Sequence, residues 1–235
     1  MLSLIIPVYN EAEIIEESIK FIKKQLYFSS TEVLVVDGQS SDKTWTMIQN
    51  LEGIKSIKSE KGRAQQMNTG AKAASQELLF FLHIDSQPPL HFDKQIINTL
   101  NNNTQAGSFR LKFNDRHWWL SFIAWFTQFN FTVCRGGDQG LFITKKTFDK
   151  IGGFNEDYIV FEDHEIVKRI KQHRFKFKVM PDYMLTSSRL FRQYGIFKLQ
   201  IIFAKLYIRR YILNQSPNQL YKSYQKAIQK NWTKN

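Results

Sequence analysis

The chain has 235 residues, 43% of them hydrophobic, and a formal net charge of +12 at pH 7. This length and composition are sufficient for a hydrophobic core and predict one domain, or one domain with an appendage. The single cysteine, Cys134, excludes an internal disulfide and is typical of a reducing compartment. The sequence contains no recognisable signal peptide and no apolar stretch long enough to span a bilayer. We therefore expect a cytoplasmic protein.

The positive charge lies in the C-terminal part of the chain. From Ile166 onward, 16 Lys or Arg residues accompany a single acid, Asp182, so this part carries +15. The preceding 165 residues hold 17 basic and 20 acidic residues, a net charge of −3. Such a division predicts a catalytic or binding body with a basic tail that meets an anionic partner.

Strand and helix patterns alternate through the first hundred residues. The strand LSLIIPVY precedes a helix in which Ile15, Ile19 and Ile22 recur at helical spacing. The buried strand TEVLVVD precedes a helix over TWTMIQNL, and the weaker strand GIKSIKSE precedes a helix over GRAQQMNTGAKAAS. The strand ELLFFLHID, apolar on both faces from Leu78 to Leu82, leads to a helix over FDKQIINTL. This order predicts a mostly parallel sheet with helices on both faces.

Polar side chains follow three of these strands. Tyr9 and Glu11 come after the first strand, Asp37 after the second and Asp85 after the fourth. In sheets of this kind ligands bind at the carboxyl ends of the strands, so these residues should converge on one crevice. A carboxylate at the rim of a core is costly unless something positive meets it. Asp85 therefore predicts a metal or a cationic partner, with a simple turn cap as the alternative.

Signatures of several other ligand sites are missing. No GxGxxG follows the first strand and no GxxxxGK[ST] occurs, which disfavours a dinucleotide dehydrogenase and a P-loop enzyme. One cysteine and five scattered histidines disfavour a zinc site.

Two apolar segments leave their packing partner open. Residues 117–131, HWWLSFIAWFTQFNF, favour a helix packed in the core over a surface at a membrane interface. The later segment RLFRQYGIFKLQIIFAKLYIRRYI mixes apolar and basic residues at helical spacing. It is equally compatible with a helix on anionic lipid and with a helix packed on the body.

Five motifs in order resemble the landmarks of the family-2 glycosyltransferases with the GT-A fold. They are IIPVYNEAE, VVDGQSSDKT, the strand-end acid of FLHID, GGDQGLFITKKTFDKIGGF and FEDHEIVKRI, and together they cover about residues 2–175. The details GRAQQMNTGA, FLHIDS, GGDQG and TSSR resemble a compact bacterial subgroup labelled arsenosugar-biosynthesis glycosyltransferases. The resemblance implies a GT-A domain over residues 1–185, and we expect residues 186–235 to form a basic amphipathic helical extension.

The resemblance also implies a nucleotide-sugar donor, with a UDP-sugar favoured, and a divalent cation, Mg²⁺ or Mn²⁺, on its diphosphate. Asp85 stands where the family has the metal-binding acid of its DxD motif, and Asp163, with Glu162 beside it, stands where the family has its catalytic base. The remaining positions are those expected at the nucleotide (Pro7, Tyr9, Glu11, Asp37, Arg63 and Arg189) and at the acceptor or donor sugar (His83, Gly137, Asp138 and Gln139).

One position departs from the family pattern, because His83 replaces the first acid of DxD. In a strand, residues 83 and 85 point to the same face, so His83 is expected to contact ribose or a water beside the cation. Metal binding would then depend mainly on Asp85 and the diphosphate oxygens.

Several of these residues have structural alternatives. Asp37 could form only an Asx-turn, and Glu162 and Asp163 could be first-turn acids that complement a helix dipole. Arg63 and Arg189 could be solvated surface residues, and Gly137 a turn residue.

The sequence thus predicts an inverting glycosyltransferase that acts on a hydroxyl acceptor, near the inner face of the membrane. A sugar-phosphate nucleotidyltransferase is the alternative with the same sheet, although PVYNEAE lacks the Gly-rich basic loop of those enzymes. A nucleic-acid binder that uses the basic tail is the third alternative, but no RRM, KH or OB pattern accompanies the tail. We therefore expect no nucleic-acid partner.

Overall fold

A computed structural model of the chain describes residues 1–100 and 103–229. The strands are β1 (Leu2–Val8), β2 (Glu32–Asp37), β3 (Lys55–Lys58), β4 (Leu78–Phe81), β5 (Ser86–Gln87), β6 (Ala106–Phe113), β7 (Leu141–Thr144) and β8 (Phe177–Thr186). The helices are α1 (Ile15–Gln25), α2 (Thr44–Gln49), α3 (Arg63–Ala73), α4 (Phe92–Leu100), α5 (Trp118–Phe126), α6 (Lys145–Lys150), α7 (Glu162–Gln172), α8 (Arg189–Tyr194), α9 (Ile196–Tyr211) and α10 (Pro217–Gln229). Short 3₁₀ turns lie at Thr132–Cys134 and Gly137–Gln139.

The strands of the described residues form one sheet in the order β3-β2-β1-β4-β7-β6-β8-β5. The strands β1 to β4 are mutually parallel, and β6 and β8 are parallel to each other. The strand β7 is antiparallel to both of its neighbours, and β5 is antiparallel to β8. The prediction of a mostly parallel α/β sheet is confirmed, and the alternation of strands and helices up to α4 follows the predicted order.

Helices cover both faces of this sheet. Every residue of β1 is buried. Leu4 and Ile6 belong to an apolar cluster with α1 and α4, whereas Ile5 belongs to a second cluster with α3 and α7 on the opposite face. A strand that is buried on both faces cannot shift by one residue without exposing a row of apolar side chains. The carboxyl ends of β1 and β2, where Val8 pairs with Asp37, are therefore held in fixed register.

The strand β4 ends earlier than the sequence predicts. Its pairing with β1 stops at Phe81, although the N–H of Leu82 still donates to the carbonyl of Ile5 at 3.0 Å. Residues 84 and 85 then form a turn, and the N–H of Ser86 donates to the carbonyl of His83 at 3.1 Å. The prediction that residues 83 and 85 share one face of a strand is wrong, because the chain turns there to place β5 beside β8.

The core prediction for residues 117–131 is also wrong for most of the segment. On α5, Leu120 and Ala124 are buried, but Trp118 is 64%, Phe122 47% and Trp125 56% exposed. The helix therefore contacts the body through a narrow apolar face and presents its large aromatic side chains to solvent.

The helices α8, α9 and α10 follow β8. Leu199 and Leu206 of α9 are buried, whereas Phe197, Ile201 and Ile208 of the same helix are exposed. One side of α9 therefore packs on the body, and the alternative of a helix on anionic lipid stays a prediction.

The division of the chain at residues 185 and 186 stays a prediction, and residues 230–235 of the proposed extension lie outside the described residues. Within the described ranges, no helix combines the length and the hydropathy needed to cross a bilayer.

Candidate active site

A cavity of about 1090 Å³ opens at the carboxyl ends of β1 and β4. Its polar lining comes from those strand ends, the first residue of α3, the 3₁₀ turn at Gly137–Gln139, the start of α7 and the start of α8. It brings together most of the residues that the sequence singled out: Pro7, Glu11, Arg63, His83, Asp85, Gly137, Asp138, Gln139, Glu162, Asp163 and Arg189.

Tyr9 and Asp37 lie at the same edge of the sheet but outside the lining of this cavity. Asp37 is buried, and one of its carboxylate oxygens accepts a hydrogen bond from the N–H of Ser40 at 3.1 Å. The predicted turn-forming alternative is therefore present, yet its other oxygen, Oδ1, is buried and has no hydrogen-bond partner within the described residues. The hydroxyl of Tyr9 accepts a hydrogen bond from Lys61 at 2.8 Å.

Three side chains at the cavity could hold a metal ion. Ligand atoms of His83, Asp85 and Asp138 all lie within 4.8 Å of one another. His83 and Asp85 come from the turn after β4, and Asp138 comes from the 3₁₀ turn that precedes β7. Two carboxylates and one imidazole fit Mn²⁺ well, and Mg²⁺ through the carboxylates, since both ions accept further oxygen ligands. The sequence placed Asp138 on the sugar side and did not anticipate that it joins Asp85.

His83 and Asp138 also pair directly, with Nδ1 of the histidine 3.1 Å from Oδ1 of the aspartate. Burial and the positive charge of Arg63 oppose a proton on His83, but the hydrogen bond to Asp138 and the charge of Asp163 outweigh them and raise the pKa of His83. The imidazole is thereby held in one orientation at the edge of the cluster.

Gly137 lies where the loop passes between the imidazole and the carboxylate of α7. A Cβ added at Gly137 would lie 2.5 Å from Oδ2 of Asp163 and 2.6 Å from Nε2 of His83, closer than real Cβ atoms come. Any larger residue would push these two groups apart, so the glycine has a role beyond that of a turn residue.

The start of α7 supplies the other two carboxylates. Glu162 is buried and accepts a hydrogen bond from the guanidinium of Arg63 at 2.9 Å, so Arg63 is paired and not simply the solvated residue of the structural alternative. Burial and the adjacent charge of Glu162 raise the pKa of Asp163 to about 6. Phe161, just before the helix, has a φ of 68°, a left-handed conformation that is uncommon outside glycine. The two acids occupy the first turn of α7, as the structural alternative proposed, and also face the cavity.

Glu11 and Arg189 lie near each other in the lining of the cavity. Burial raises the pKa of Glu11, the charge of Arg189 opposes this shift, and the charge of Asp85 adds to it. Gln139 is buried, and its amide donates to the carbonyl of Cys134 at 2.7 Å, so it also fixes the loop that carries Asp138.

Sequence reasoning missed a second, apolar part of the cavity wall. Side chains of β6, α5, α8 and α9 line it, among them Leu111, Ile123, Phe126, Phe191 and Phe203. The apolar spacing of α9 was visible in the sequence. No local sequence pattern showed, however, that this helix lines the cavity at the strand ends.

Two curated proteins resemble the N-terminal part of the chain. A dolichol-phosphate mannosyltransferase from Pyrococcus furiosus is 33% identical over 107 residues, which cover 43% of this chain and 30% of that protein. The glycosyltransferase AglE from Haloferax volcanii is 36% identical over 107 residues, which cover 42% of this chain and 35% of that protein. The matches therefore span about a third of the length of these relatives.

Solved structures share the fold. The mannosyltransferase PcManGT from Pyrobaculum calidifontis, in complex with GDP-Man and Mn²⁺, superposes with a TM-score of 0.64 at 21% identity, over 78% of this chain and 56% of that chain. A fragment of S. aureus TarS in complex with UDP superposes with a TM-score of 0.63 at 19% identity, over 79% of this chain and 60% of that chain. The family model for Glycosyl transferase family 2 matches residues 3–154, well over half of the sequence, and the chain therefore belongs to that family.

Proposed function

We propose that the chain is an inverting, metal-assisted glycosyltransferase that moves a sugar from a nucleotide-sugar to a hydroxyl group of an acceptor. One observation carries this proposal. A carboxylate with a raised pKa, Asp163, and a group able to hold a divalent cation face the same cavity, and Asp163 and His83 both lie close to Gly137. Sugar transfer requires a base for the acceptor and a counter-charge for the departing diphosphate, and these two groups supply them.

The donor is placed with its nucleotide at the ends of β1 and β2. The residues proposed to contact the nucleotide are Pro7, Tyr9, Glu11, Asp37, Arg63 and Arg189. The buried and unpaired Oδ1 of Asp37 offers an acceptor to an N–H or hydroxyl of the nucleoside. A UDP-sugar is favoured by the resemblance of the motifs, and TarS binds UDP, whereas the Pyrobaculum enzyme binds GDP-Man. The resemblance to the arsenosugar-biosynthesis subgroup stays a prediction and does not define the acceptor.

His83, Asp85 and Asp138 are the residues that would hold Mg²⁺ or Mn²⁺. The bound cation would neutralise the charge that develops on the departing nucleoside diphosphate. Arg63 can add positive charge there, since its guanidinium is close enough for its charge to act on His83 and Asp138.

Asp163 acts as the general base in this proposal. Its carboxylate accepts the acceptor's hydroxyl proton as the oxygen attacks the anomeric carbon from the side opposite the leaving group, which inverts that centre. A pKa of about 6 leaves the group ionised at neutral pH and makes it a better proton acceptor than an ordinary aspartate.

We predict that Asp163→Asn lowers kcat by about 10²–10⁴-fold and leaves donor affinity nearly unchanged, because a general base acts on the acceptor proton. In the unmodified protein the base must be ionised, so kcat/KM should fall as the pH drops below about 6. Steady-state kinetics across the pH range checks both statements. Glu165→Gln is the matched control, since that acid lies on the same helix but pairs with Arg169. A variant at position 163 that keeps more than about a tenth of kcat contradicts the assignment.

The same substitution should also stabilise the fold. A carboxylate whose folded pKa is raised from 3.8 to about 6 destabilises the folded state once the pH exceeds both values. In EDTA, Asp163→Asn should therefore increase the free energy of unfolding by up to about 3 kcal/mol near pH 7, with the gain vanishing towards pH 4. Denaturant titrations at the two pH values measure it. An equal effect at both pH values would show that the pKa of Asp163 is not raised in the folded protein.

The cation assignment predicts that UDP binds at least about tenfold more tightly in Mn²⁺ than in EDTA, a difference of ~1.4 kcal/mol. Asp85→Asn should remove most of this difference because it removes the negative charge of one candidate ligand. Asp182→Asn, which changes an exposed acid on β8 away from the cavity, should not. Titration calorimetry provides the measurement, and equal affinity in EDTA and Mn²⁺ would exclude the metal role.

We also propose that the protein works at an anionic membrane surface, which the basic C-terminal part supports. Lys198, Lys205 and Arg209 on α9 and Lys222 on α10 are exposed. Lysine and arginine near an anionic surface contribute about 1 kcal/mol each, so a few engaged residues suffice for reversible attachment.

We therefore predict co-sedimentation with phosphatidylglycerol vesicles that weakens as salt is added. Reversing the charges of Lys198 and Lys222 should weaken binding about 30-fold or more, because two favourable contributions are lost. The same reversal at Lys20 and Lys24, exposed on α1, serves as the control. Protein that stays in the supernatant at low salt rules the proposal out and favours a soluble acceptor.

A further inference from the structure

The active-site cavity is larger and more apolar than a sugar donor requires. Its volume of about 1090 Å³ exceeds the roughly 300–1,000 Å³ of ordinary small-molecule pockets. Beyond the carboxylates, we define its apolar groove by six lining residues: Leu111, Ile123, Phe126, Phe191, Phe203 and Ile208. None of these six side chains carries a hydrogen-bonding group, so the groove offers little to a free sugar.

The groove continues onto an exposed aromatic surface. This aromatic patch consists of Trp118, Trp119, Phe122, Trp125, Phe126, Phe129 and Phe131, whose neighbouring rings have centroids 5.1–6.2 Å apart. Trp118 and Phe131 are each more than 60% exposed. Phe126 belongs to both the patch and the groove, so the two surfaces are continuous.

A contiguous exposed aromatic surface is unusual on a protein whose surface contacts only solvent. Tryptophan is the side chain most typical of a membrane interface, because it is apolar in body and carries one N–H donor. The patch lies beside basic residues, since Phe197 of α9 contacts Trp119 with ring centroids 5.5 Å apart and is followed by the exposed Lys198. Aromatic side chains with flanking lysine complement an anionic lipid surface in both polarity and charge.

We propose that the acceptor is an amphiphile presented by a lipid bilayer, with its hydrocarbon chain in the apolar groove and its hydroxyl head at Asp163. The aromatic patch is the surface through which it enters from the bilayer. This proposal rests on the glycosyltransferase function and specifies its acceptor.

In the reaction, the acceptor oxygen forms a bond to the anomeric carbon while the bond from that carbon to the diphosphate oxygen breaks. The leaving diphosphate takes the electron pair of the broken bond, and Asp163 takes the hydroxyl proton. No oxidant, reductant or further reactant is needed.

The binding test uses the octyl, decyl and dodecyl monoethers of glycerol below their micelle concentrations, with titration calorimetry. If a hydrocarbon chain fills the groove, affinity should rise about fourfold per added methylene until the groove is full. Affinity that is independent of chain length overturns the proposal.

A substitution on α9 tests the location of the chain. Ala204 is exposed to solvent within the cavity wall, so Ala204→Trp places an indole in the groove without displacing core residues. We expect dodecyl-ether binding about tenfold weaker or worse, since an indole takes the room of at least two methylenes. Ile201→Trp adds the same ring at an exposed position of α9 outside the lining and should bind as the unmodified protein does. Equal binding by the two variants overturns the proposed groove.

Titration of UDP with Mn²⁺ on the same samples separates this proposal from the function on which it rests. Loss of chain-length dependence with intact UDP binding refutes only the amphiphilic acceptor. GDP is titrated in parallel, and absence of binding by both UDP and GDP in every sample refutes the nucleotide-sugar function on which the proposal rests.

The aromatic patch is tested with uncharged phosphatidylcholine vesicles at high salt, where the basic residues contribute little. The double variant Trp118→Ser, Trp125→Ser should lose binding. Tyr27→Ser, which removes an exposed ring elsewhere on the surface, should keep it. The bilayer role is overturned if the unmodified protein does not bind, or if it forms a dimer in solution that the double variant abolishes.

Discussion

The crowding of negative charge in one cavity is the constraint on which the rest of the site depends. Within the described residues, the lining of the cavity includes the five carboxylates of Glu11, Asp85, Asp138, Glu162 and Asp163. Arg63 pairs with Glu162, and His83 pairs with Asp138, which leaves Glu11, Asp85 and Asp163 without a direct ion pair in those ranges. Half-buried carboxylates that lack a partner are costly, and desolvation together with the charge of Glu162 raises the pKa of Asp163. A divalent cation bound at Asp85 would relieve this cost, so the site is organised to bind positive charge.

The fold can maintain this crowding because the sheet beneath it is rigid. Every residue of β1 is buried between helices on both faces, so the register with β2 and β4 is fixed. The close contact between α3 and the sheet at Gly70, where an added Cβ would lie 3.1 Å from Val36, places the first residue of α3, Arg63, at the edge of the cavity. The unfavourable charges are thereby concentrated in the turns and helix starts at that edge, while the stabilising apolar contacts lie below.

Much of this arrangement could be predicted from the sequence, because it depends on local pattern and on one general rule. The apolar strands and the helical spacing of the isoleucines define the alternation from β1 to α4. Since parallel strands end at the same edge, Glu11 and Asp85 had to meet there. The role of Asp138 could not be predicted, because its turn reaches the site only through the antiparallel pairing of β7 with β4. The apolar character of α5 was evident, but periodicity does not show whether another element covers a helix, and Trp118 and Trp125 are exposed.

Donor and base occupy one cavity in the proposed reaction, and a crystal structure of Asp163→Asn with an intact UDP-sugar and Mn²⁺ tests this most directly. The inactive variant keeps the sugar attached during the measurement. We expect Mn²⁺ bound by Asp85 and the diphosphate, with the anomeric carbon facing the side chain at position 163 across Gly137. A cation bound away from His83, Asp85 and Asp138, or an anomeric carbon that faces away from position 163, would contradict the account.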